Sequence, residues 1–295
     1  MNVTIARLLR VPLVTVTIWA VLAVVTPLAM AQYPTYVPRQ GISCVVVRFT
    51  GTGPVAVNTC RSLADIYHRP FADLMVDGMF RSLALLVGAA VLALTLGVLI
   101  GVSAALLRRR AFASGGILGV TSLLSAVPAF FVAYFLQIAV IVLGASPEGG
   151  RLLPVFGFGY DDHLILPLLA ISVPAIAHTA QVTATRLNDV LDSDFITTAN
   201  AKGLRTSRIL GVHVLPHVRP VVLEALGGGL RISVASLPIV EFLFNWGGIG
   251  QLSLEALGVH DAAGFVFGAV VLGGLFALLS AAADLSRPRA LYVRG

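Results

Sequence analysis

Ionisable side chains are scarce in this chain, and several of them lie between long runs of apolar residues. Of the 295 residues, 57% are hydrophobic and only 12% are charged. Arg231 shares one apolar stretch with Glu224 and Glu241, and another stretch contains His178 and Gln181. A charge at the centre of a membrane helix costs roughly 2.5–3.5 kcal/mol, so such residues usually face a cavity or a partner.

The spacing of these residues leaves two interpretations open. Seven positions separate Glu224 from Arg231, which places both on one face of a helix. They either line a path through the membrane, or they have a structural explanation, as a tie to another helix or in a span shifted so that Arg231 reaches water. Glu241 lies near the end of its stretch and could equally anchor the helix. For His178 and Gln181, packing between helices is the commoner role.

These residues do not form a recognisable catalytic site. An intramembrane enzyme needs a nucleophile with its base, or a cluster of metal ligands. The sequence contains neither HExxH nor G-x-S-x-G, and its apolar stretches hold no paired carboxylates. It also lacks the phosphate-binding motif G-x-x-x-x-G-K-[ST], since its only lysine is Lys202. An enzyme is therefore the less favoured class, and no cofactor is predicted in this chain.

Two cysteines, Cys44 and Cys60, lie in the polar segment that follows the first apolar stretch. An oxidising compartment would permit a disulfide between them, and two unpaired thiols are the alternative. No metal-ligand spacing accompanies them.

Six apolar stretches are long enough to cross a membrane as helices, which requires roughly 20 residues each. They do not alternate between apolar and polar residues as the strands of a membrane barrel do. We therefore predict an all-α membrane protein with six transmembrane helices. The predicted spans, numbered one to six, are Val11–Ala31, Leu83–Leu107, Ile117–Leu143, Leu164–Thr185, Val221–Phe244 and Ala263–Leu285.

The basic residues predict the orientation of the spans. Arg108, Arg109 and Arg110 follow span two, whereas the Gly144–His163 loop after span three carries a single arginine. Because cytoplasmic loops are enriched in basic residues, both termini are predicted to be cytoplasmic. The net charge of +6 is then explained by cations at membrane edges, where they meet anionic lipid, without a nucleic-acid partner. The sequence Ala29-Met30-Ala31 has the form of a signal-peptidase site, but the long apolar run before it favours retention as a span.

The chain is predicted to divide into a small number of segments. The run Cys44–Thr50 favours a strand or hairpin, and Ser62–Asp77 has the spacing of an amphipathic helix along the membrane surface. The predicted segments are a first transmembrane helix at 1–31, an extracytoplasmic loop or cap at 32–81, a five-helix core at 82–285 that includes a cytoplasmic loop at 186–219, and a cytoplasmic tail at 286–295.

The loop at 186–219 carries the most informative pattern. It predicts two short helices separated by Gly203. The first begins near Asp194, and the second begins near Thr206 or Ser207 and approaches Pro216.

This loop resembles that of the permease subunits of binding-protein-dependent ABC importers. Their pattern is EAA, three residues, Gly, nine residues and Ile-x-Leu-Pro. Aligning the glycine with Gly203 places Leu215 and Pro216 on the final Leu-Pro. The sequence from Thr198 to Leu204 is similar to the Thr-Ala-x-Ala-Lys-Gly-Leu of the dipeptide/oligopeptide branch, as found in its B-type subunit.

Two further stretches strengthen the resemblance, and several positions depart from it. Residues 125–130 resemble the Ser-x-Pro-x-Phe of the branch, with two residues instead of one between Ser125 and Pro128, and residues 240–250 resemble its Val-Glu-x-x-Phe-x-x-Pro-Gly-x-Gly. The departures are Thr197 and Thr198 at the Glu-Ala positions, His213 at the isoleucine position and Gly247 in place of proline.

The resemblance implies a fold, a mechanism and partners. The fold would be the type I ABC importer permease fold, with alternating access driven by ATP. The loop would dock a coupling helix on ATP-binding subunits, which hold ATP and Mg²⁺. A second homologous permease subunit, an extracytoplasmic substrate-binding protein and the bilayer of the bacterial inner membrane complete the partners. The residues carried over to the coupling loop are Thr198, Ala199, Ala201, Lys202, Gly203, Leu204, Leu215 and Pro216.

The substrate implied by the resemblance is a di- or oligopeptide, although the same branch includes importers of nickel, glutathione and haem. A stand-alone secondary carrier is a third class. It would not explain the spacing from Gly203 to Leu215 and Pro216.

Overall fold

A computed structural model describes Ala20 and residues 36–38, 44–50, 53–57, 62–144, 153–205, 208–259 and 261–286. Within these ranges, four helices are long and apolar enough to cross a membrane, or five spans if one sharply bent helix pair counts as a span. They coincide with the predicted spans two to six, so the all-α membrane architecture is confirmed. Span one lies outside the described residues, apart from Ala20, and the total of six spans stays a prediction.

The helices follow the apolar stretches closely. The α-helices are Leu63–Tyr67, Phe71–Leu92, Val98–Leu106, Ala111–Ala126, Ala129–Gly144, Ile165–Leu191, Asp194–Ala201, Leu215–Phe244, Ile249–Gly258 and Ala262–Ser286. Two π-helical segments, Ala93–Gly97 and Ile209–Val214, and a 3₁₀ turn, Asp162–Leu164, adjoin them. We call Asp194–Ala201 the loop helix and Ile249–Gly258 the linking helix.

The segment before span two contains a small antiparallel sheet of three strands, Tyr36–Pro38, Cys44–Thr50 and Gly53–Val57. The strand predicted for the Cys44–Thr50 run is confirmed, and it forms a hairpin with the third strand in which Thr50 pairs with Gly53. The predicted disulfide stays a prediction, because Cys60 and the side chain of Cys44 lie outside the described part of the chain.

The prediction of one amphipathic helix over Ser62–Asp77 is wrong. A short helix, Leu63–Tyr67, ends at His68, whose φ of 52° is left-handed. Pro70 then precedes Phe71, where a second helix begins and continues into span two. Proline lacks a backbone N–H and disfavours helical backbone in the residue before it, so the helix cannot continue through this point.

Span two is consequently longer than predicted. It runs over Phe71–Leu106, or 36 residues. At 1.5 Å per residue this is about 54 Å, well beyond the roughly 30 Å of a hydrocarbon layer. The first three turns, which carry Asp73, Asp77 and Arg81, therefore extend out of the apolar layer.

Span three is also not the continuous helix predicted over Ile117–Leu143. The structure has two helices, Phe112–Ala126 and Ala129–Gly144, at 98° to each other. The break falls at Val127, which has extended backbone, and at Pro128. The physical cause is again proline, which disfavours helical geometry in the preceding residue, although Pro174 and Pro238 are accommodated inside other spans.

Span four is the central helix of the bundle. About 56% of its most apolar window is buried, compared with 17% for span six. Small residues let its neighbours approach closely. A Cβ at Gly97 of span two would lie 2.9 Å from the Thr179 side chain, and one at Gly101 would lie 2.8 Å from that of Thr183.

The loop between spans four and five agrees with the sequence in its first half only. The loop helix begins at Asp194 as predicted, and Gly203, whose φ is +70°, interrupts the helical backbone. The predicted separate second helix is wrong, because Ile209–Val214 forms a π-helical segment that continues directly into span five. Pro216 lies in the first turn of that α-helix, where proline is tolerated.

Candidate functional site

Three consecutive glycines in span five set the spacing of the central helices. A Cβ at Gly227 would lie 2.8 Å from that of Ala283 in span six, and one at Gly229 would lie 2.9 Å from the Ala175 carbonyl oxygen. A Cβ at Gly228 would overlap the imidazole of His178. The absence of three side chains therefore brings span five against spans four and six and leaves His178 directly on its backbone.

Two adjoining cavities lie beside this contact. The loop-side cavity, of about 470 Å³, extends toward the loop, and the break-side cavity, of about 580 Å³, extends toward the break in span three. His178, Gly228 and Arg231 line both. The polar lining of the loop-side cavity consists of His178, Gln181, Thr185, Arg186, Glu224 and Arg231.

The shared residues lie half-way through the membrane-spanning helices. His178 is near the middle of Asp162–Leu191, and Arg231 is near the middle of Pro220–Phe244. Arg186 and Glu224 lie about two turns closer to the loop. The loop-side cavity therefore begins near the midpoint of the spans and extends toward the end of the bundle that carries the loop.

Among the described residues, one cation of the cavity lining, Arg231, has no carboxylate paired with it. Gln181 Nε2 donates to Ser125 Oγ at 3.0 Å, which joins span four to span three just before its break. Arg186 is 3.7 Å from Asp189. Within the described residues, Arg231 forms no ion pair with a carboxylate. The loop-side cavity thus holds two guanidinium groups and the one carboxylate of Glu224.

The structure brings four of the five predicted path residues together. Arg231, Glu224, His178 and Gln181 are half-buried and line the same cavity. Their role in translocation stays a prediction. Sequence reasoning missed Ser125 and Arg186 as lining residues. The Ser-x-Pro-x-Phe pattern was the available signal for Ser125, and helical spacing from His178 was the signal for Arg186.

Glu241 lies elsewhere, ten residues or about 15 Å along span five from Arg231. It is fully buried. Its Oε1 accepts a hydrogen bond from Ser82 Oγ at 2.5 Å, and its Oε2 accepts from the backbone N–H groups of Gly250 (2.9 Å) and Gln251 (3.1 Å). Glu241 therefore joins spans two and five to the start of the linking helix, which corresponds to the helix-anchoring interpretation.

The turn after Glu241 explains one departure from the importer pattern. Gly247, which replaces proline, has φ +72°, a value that proline cannot adopt because its ring fixes φ near −65°. The preceding Trp246 is buried and donates from Nε1 to the Arg81 carbonyl oxygen at 3.1 Å. The Arg81 guanidinium lies 3.9 Å from the centre of the Phe158 ring.

Gly203 ends the loop helix in a recognisable way. The N–H of Leu204 donates to the Ala199 carbonyl oxygen at 3.3 Å across the left-handed glycine. This is the Schellman arrangement, in which glycine is favoured because a Cβ is unfavourable at positive φ. Gly203 therefore caps a fixed helix end.

The loop has one packed face and one exposed face. Ile196, Ala199, Ile209 and Val218 belong to a buried cluster that includes Ala105 of span two and Leu187 of span four. Arg108 pairs with Asp192 at 2.5 Å, which adds a polar link to the end of span two. Among the residues carried over to the coupling loop, the exposed ones are Thr198, Ala201, Lys202, Gly203 and Pro216, while Ala199 is buried, Leu204 is half-buried and the side chain of Leu215 lies outside the described part.

The structure is a helical bundle with a polar central cavity. Its own spans connect this cavity to a loop that has one packed face and one exposed face. These are the features of an integral-membrane permease. Residues 97–292 match the family described as "Binding-protein-dependent transport system inner membrane component". The chain belongs to this family of ABC importer permeases. Such permeases are transport subunits rather than enzymes, and the ATPase is a separate chain.

Proteins with assigned names resemble most of the chain. The di/tripeptide transport system permease protein DppB of Pseudomonas aeruginosa is 29% identical over 239 residues, which cover 72% of this chain and 71% of that protein. The "probable peptide ABC transporter permease protein y4tP" of Sinorhizobium fredii is 29% identical, over 74% and 70%. The metal-staphylopine import system permease protein CntB of Staphylococcus aureus is 24% identical, over 73% and 67%.

A solved structure shares the fold. The MetNI methionine ABC transporter, in an inward-facing conformation, contains a chain that matches with a TM-score of 0.57 at 17% identity, covering 73% of this chain and 95% of that one. The type I importer permease fold implied by the sequence is thus confirmed.

Proposed function

We propose that this chain is the permease subunit of an ATP-driven importer of di- or oligopeptides in a bacterial inner membrane, with both termini cytoplasmic. Its membership of the importer family and the names of its peptide-transporting relatives support this proposal. The single observation that carries the mechanism is that one pair of helices forms both the cavity and the ends of the loop.

The connection between loop and cavity is direct. Span four enters the loop and span five leaves it, and both line the loop-side cavity. The loop helix is packed against the ends of spans two and four through Ile196, Ala199 and Leu187. Packed interiors transmit displacement rather than absorb it. A push on the exposed face of the loop therefore moves the helices that line the cavity as a rigid body.

The proposed partners are those implied by membership of the importer family. ATP-binding subunits, which hold ATP and Mg²⁺, dock on the exposed face formed by Thr198, Ala201, Lys202 and Gly203. A second homologous permease subunit completes the membrane pore. A substrate-binding protein delivers the substrate at the opposite end. Binding of ATP drives the change of access, and hydrolysis resets it.

The path of the substrate is proposed to pass the central cavities. Arg231, Glu224, His178 and Gln181 supply their polar lining. Glu241 is assigned to anchoring, since it is fully buried and both of its carboxylate oxygens accept hydrogen bonds from other segments of the bundle.

A second candidate is the import of a metal complex. The relative from S. aureus, whose name specifies metal-staphylopine import, is the observation that favours it. Nickel, glutathione and haem, which the importer branch also transports, are tested in the same assay.

The test is uptake by the full complex in liposomes, with a panel of peptides, metal complexes, glutathione and haem. The complex contains this chain, the second permease, the ATPase subunits and the binding protein. We expect ATP-dependent peptide uptake. Uptake by this chain alone, without any ATPase subunit, would contradict the proposal.

Gly203→Val tests the coupling role of the loop. A Cβ at Gly203 meets no atom within 4 Å, so the effect comes from the left-handed backbone, which costs a β-branched residue at least about 1–2 kcal/mol. We expect peptide uptake to fall about tenfold while ATP hydrolysis and membrane insertion persist. Gly203→Asn is the matched control, because asparagine tolerates this conformation. Normal uptake by the valine variant would count against coupling through this loop.

A further inference from the structure

The positive charge at the middle of span five has no counterpart within the described part of the chain. Arg231 lines both central cavities, and no described residue forms an ion pair or hydrogen bond with its guanidinium. The other described ion pairs involve Arg69, Arg108, His163 and Arg186. An arginine at this depth is unfavourable unless it faces water or a partner of opposite charge. The cavities supply the space for such a partner.

The surroundings of Arg231 favour an anion. Its planar guanidinium presents N–H groups in the geometry that matches a carboxylate through two parallel hydrogen bonds. The imidazole of His178, on span four, lies against Gly228 of span five. Gly228 is about one helical turn from Arg231. Arg186 adds a second guanidinium, and Glu224 is the one carboxylate among the lining residues.

The dimensions of the cavities agree with a small organic ligand. Each volume, about 470 and 580 Å³, falls within the roughly 300–1,000 Å³ of small-molecule sites. The polar groups converge where the two cavities meet, at His178 and Arg231. A ligand there would lie half-way through the membrane, between the break of span three and the loop.

From these observations we infer that Arg231 binds the carboxylate of the transported substrate, so that the permease itself selects substrates that carry this group. The inference rests on the proposed import function and deepens it. A peptide with a free C-terminus provides the carboxylate. A peptide amide lacks it, and a diamine adds positive charge to a site that already holds two arginines. The selection is additional to that of the binding protein.

The experiment compares one peptide in two forms, with a C-terminal carboxylate or a carboxamide. Uptake of both is measured with the complete reconstituted complex containing the wild-type chain, Arg231→Gln, Arg231→Lys or Arg109→Gln. The last variant removes an exposed arginine outside the cavities. The binding protein is the same in every case, so its own preference cancels when the ratio of acid to amide uptake is compared between variants.

We expect Arg231→Gln to lower uptake of the free acid about tenfold or more, the effect of losing a charge-assisted hydrogen-bonded pair. Uptake of the amide should stay near the wild-type rate, so the ratio falls. Arg231→Lys should retain part of the preference, and Arg109→Gln should retain all of it.

Two results overturn the inference and leave the import function intact. One is a loss of uptake that is equal for acid and amide, which indicates a structural role for Arg231. The other is uptake of the free acid by Arg231→Gln at the wild-type rate. If the wild-type complex transports neither peptide form in the presence of ATP, the proposed peptide function and the inference both fail.

Discussion

Two of the three charged residues of span five, Glu241 and Arg231, lie in opposite kinds of surroundings. Glu241 is fully buried, and Ser82, Gly250 and Gln251 donate hydrogen bonds to its two carboxylate oxygens. Arg231 is half-buried beside two cavities and has no ion pair among the described residues. A charge at either position costs free energy. Among the described residues, only the charge of Glu241 has hydrogen-bond donors that offset this cost.

The difference separates a structural charge from one that is available to a ligand. The carboxylate of Glu241 closes a joint between three helices, and no space remains beside it, because a Cβ at Gly248 or Gly250 would overlap the carboxylate. Arg231 lies where three glycines hold the helices close together and the adjoining space is open. Both are ionisable residues of the same helix, Arg231 near its middle and Glu241 near the end away from the loop. Local hydrogen bonding distinguishes them.

The largest expected effect is the loss of stability in Glu241→Ala. Three buried donors would lose their acceptor, and each unsatisfied buried group costs about 1–3 kcal/mol. We expect a loss of about 3 kcal/mol or more, seen as a lower melting temperature and lower yield of the detergent-solubilised chain.

Two further variants sharpen this prediction. Glu241→Gln keeps the size of the side chain but turns an amide NH₂ toward donors, so it should also destabilise. Asp77→Asn, which removes an exposed ion pair with Arg69, should cost about 1 kcal/mol or less. If Glu241→Ala had the same melting temperature as the wild type, Glu241 would not have the structural role that distinguishes it from Arg231.

The second prediction concerns Arg231→Gln, measured for stability alone. Because Arg231 forms no ion pair within the described residues, its removal leaves no described carboxylate unpaired and relieves the cost of a charge in the span. We expect the folded chain to be unchanged or stabilised by up to about 2 kcal/mol. Thermal unfolding in detergent is the measurement, beside Glu241→Gln. Strong destabilisation by both variants would show that Arg231 is a structural charge as well.

The smallest effect is expected at Tyr67, on the same side of the bundle as Glu241. Its hydroxyl donates to Glu255 Oε2 at 2.5 Å, in an exposed position. Tyr67→Phe should lower the stability by about 1 kcal/mol or less, measured by the same thermal unfolding.

The effect of Tyr67 should also depend on pH. Partial burial of the ring, and then the hydrogen bond to Glu255, raise the pKa of the Tyr67 hydroxyl above its usual range. Its stabilising effect is therefore fully present below the unfolded pKa of about 10 and is lost as the pH rises further. The wild type and Tyr67→Phe should converge in stability above that pH. A difference that persists or grows in alkali would contradict the assignment of this hydrogen bond.

The sequence was a reliable guide where composition decides the structure. Spans two to six were located by apolar run length, because any long apolar segment must satisfy its backbone hydrogen bonds internally in lipid. The break at Gly203 and the start of the loop helix at Asp194 were also predicted, since helix caps depend on local residue types.

The predictions that failed all depended on how helices pack against each other. The separate second loop helix was wrong because the Ile209–Val214 segment joins span five, where packing against Ala105 and Leu187 overrides the local signals. The 98° bend at Pro128 and the continuation of span two back to Phe71 were missed because proline permits several outcomes. Which outcome occurs depends on the helices that lie beside it.

The sequence alone determined that this protein lies in a membrane, that its spans are helices and that its loop resembles that of an importer permease. These properties follow from hydropathy and from residues close together in the chain. Only the tertiary structure decided that Arg231, His178 and Gln181 share a cavity while Glu241 lies in a closed joint. The partner Ser82 of Glu241 comes from a distant segment of the chain, and whether a charge is satisfied depends on which helices meet around it.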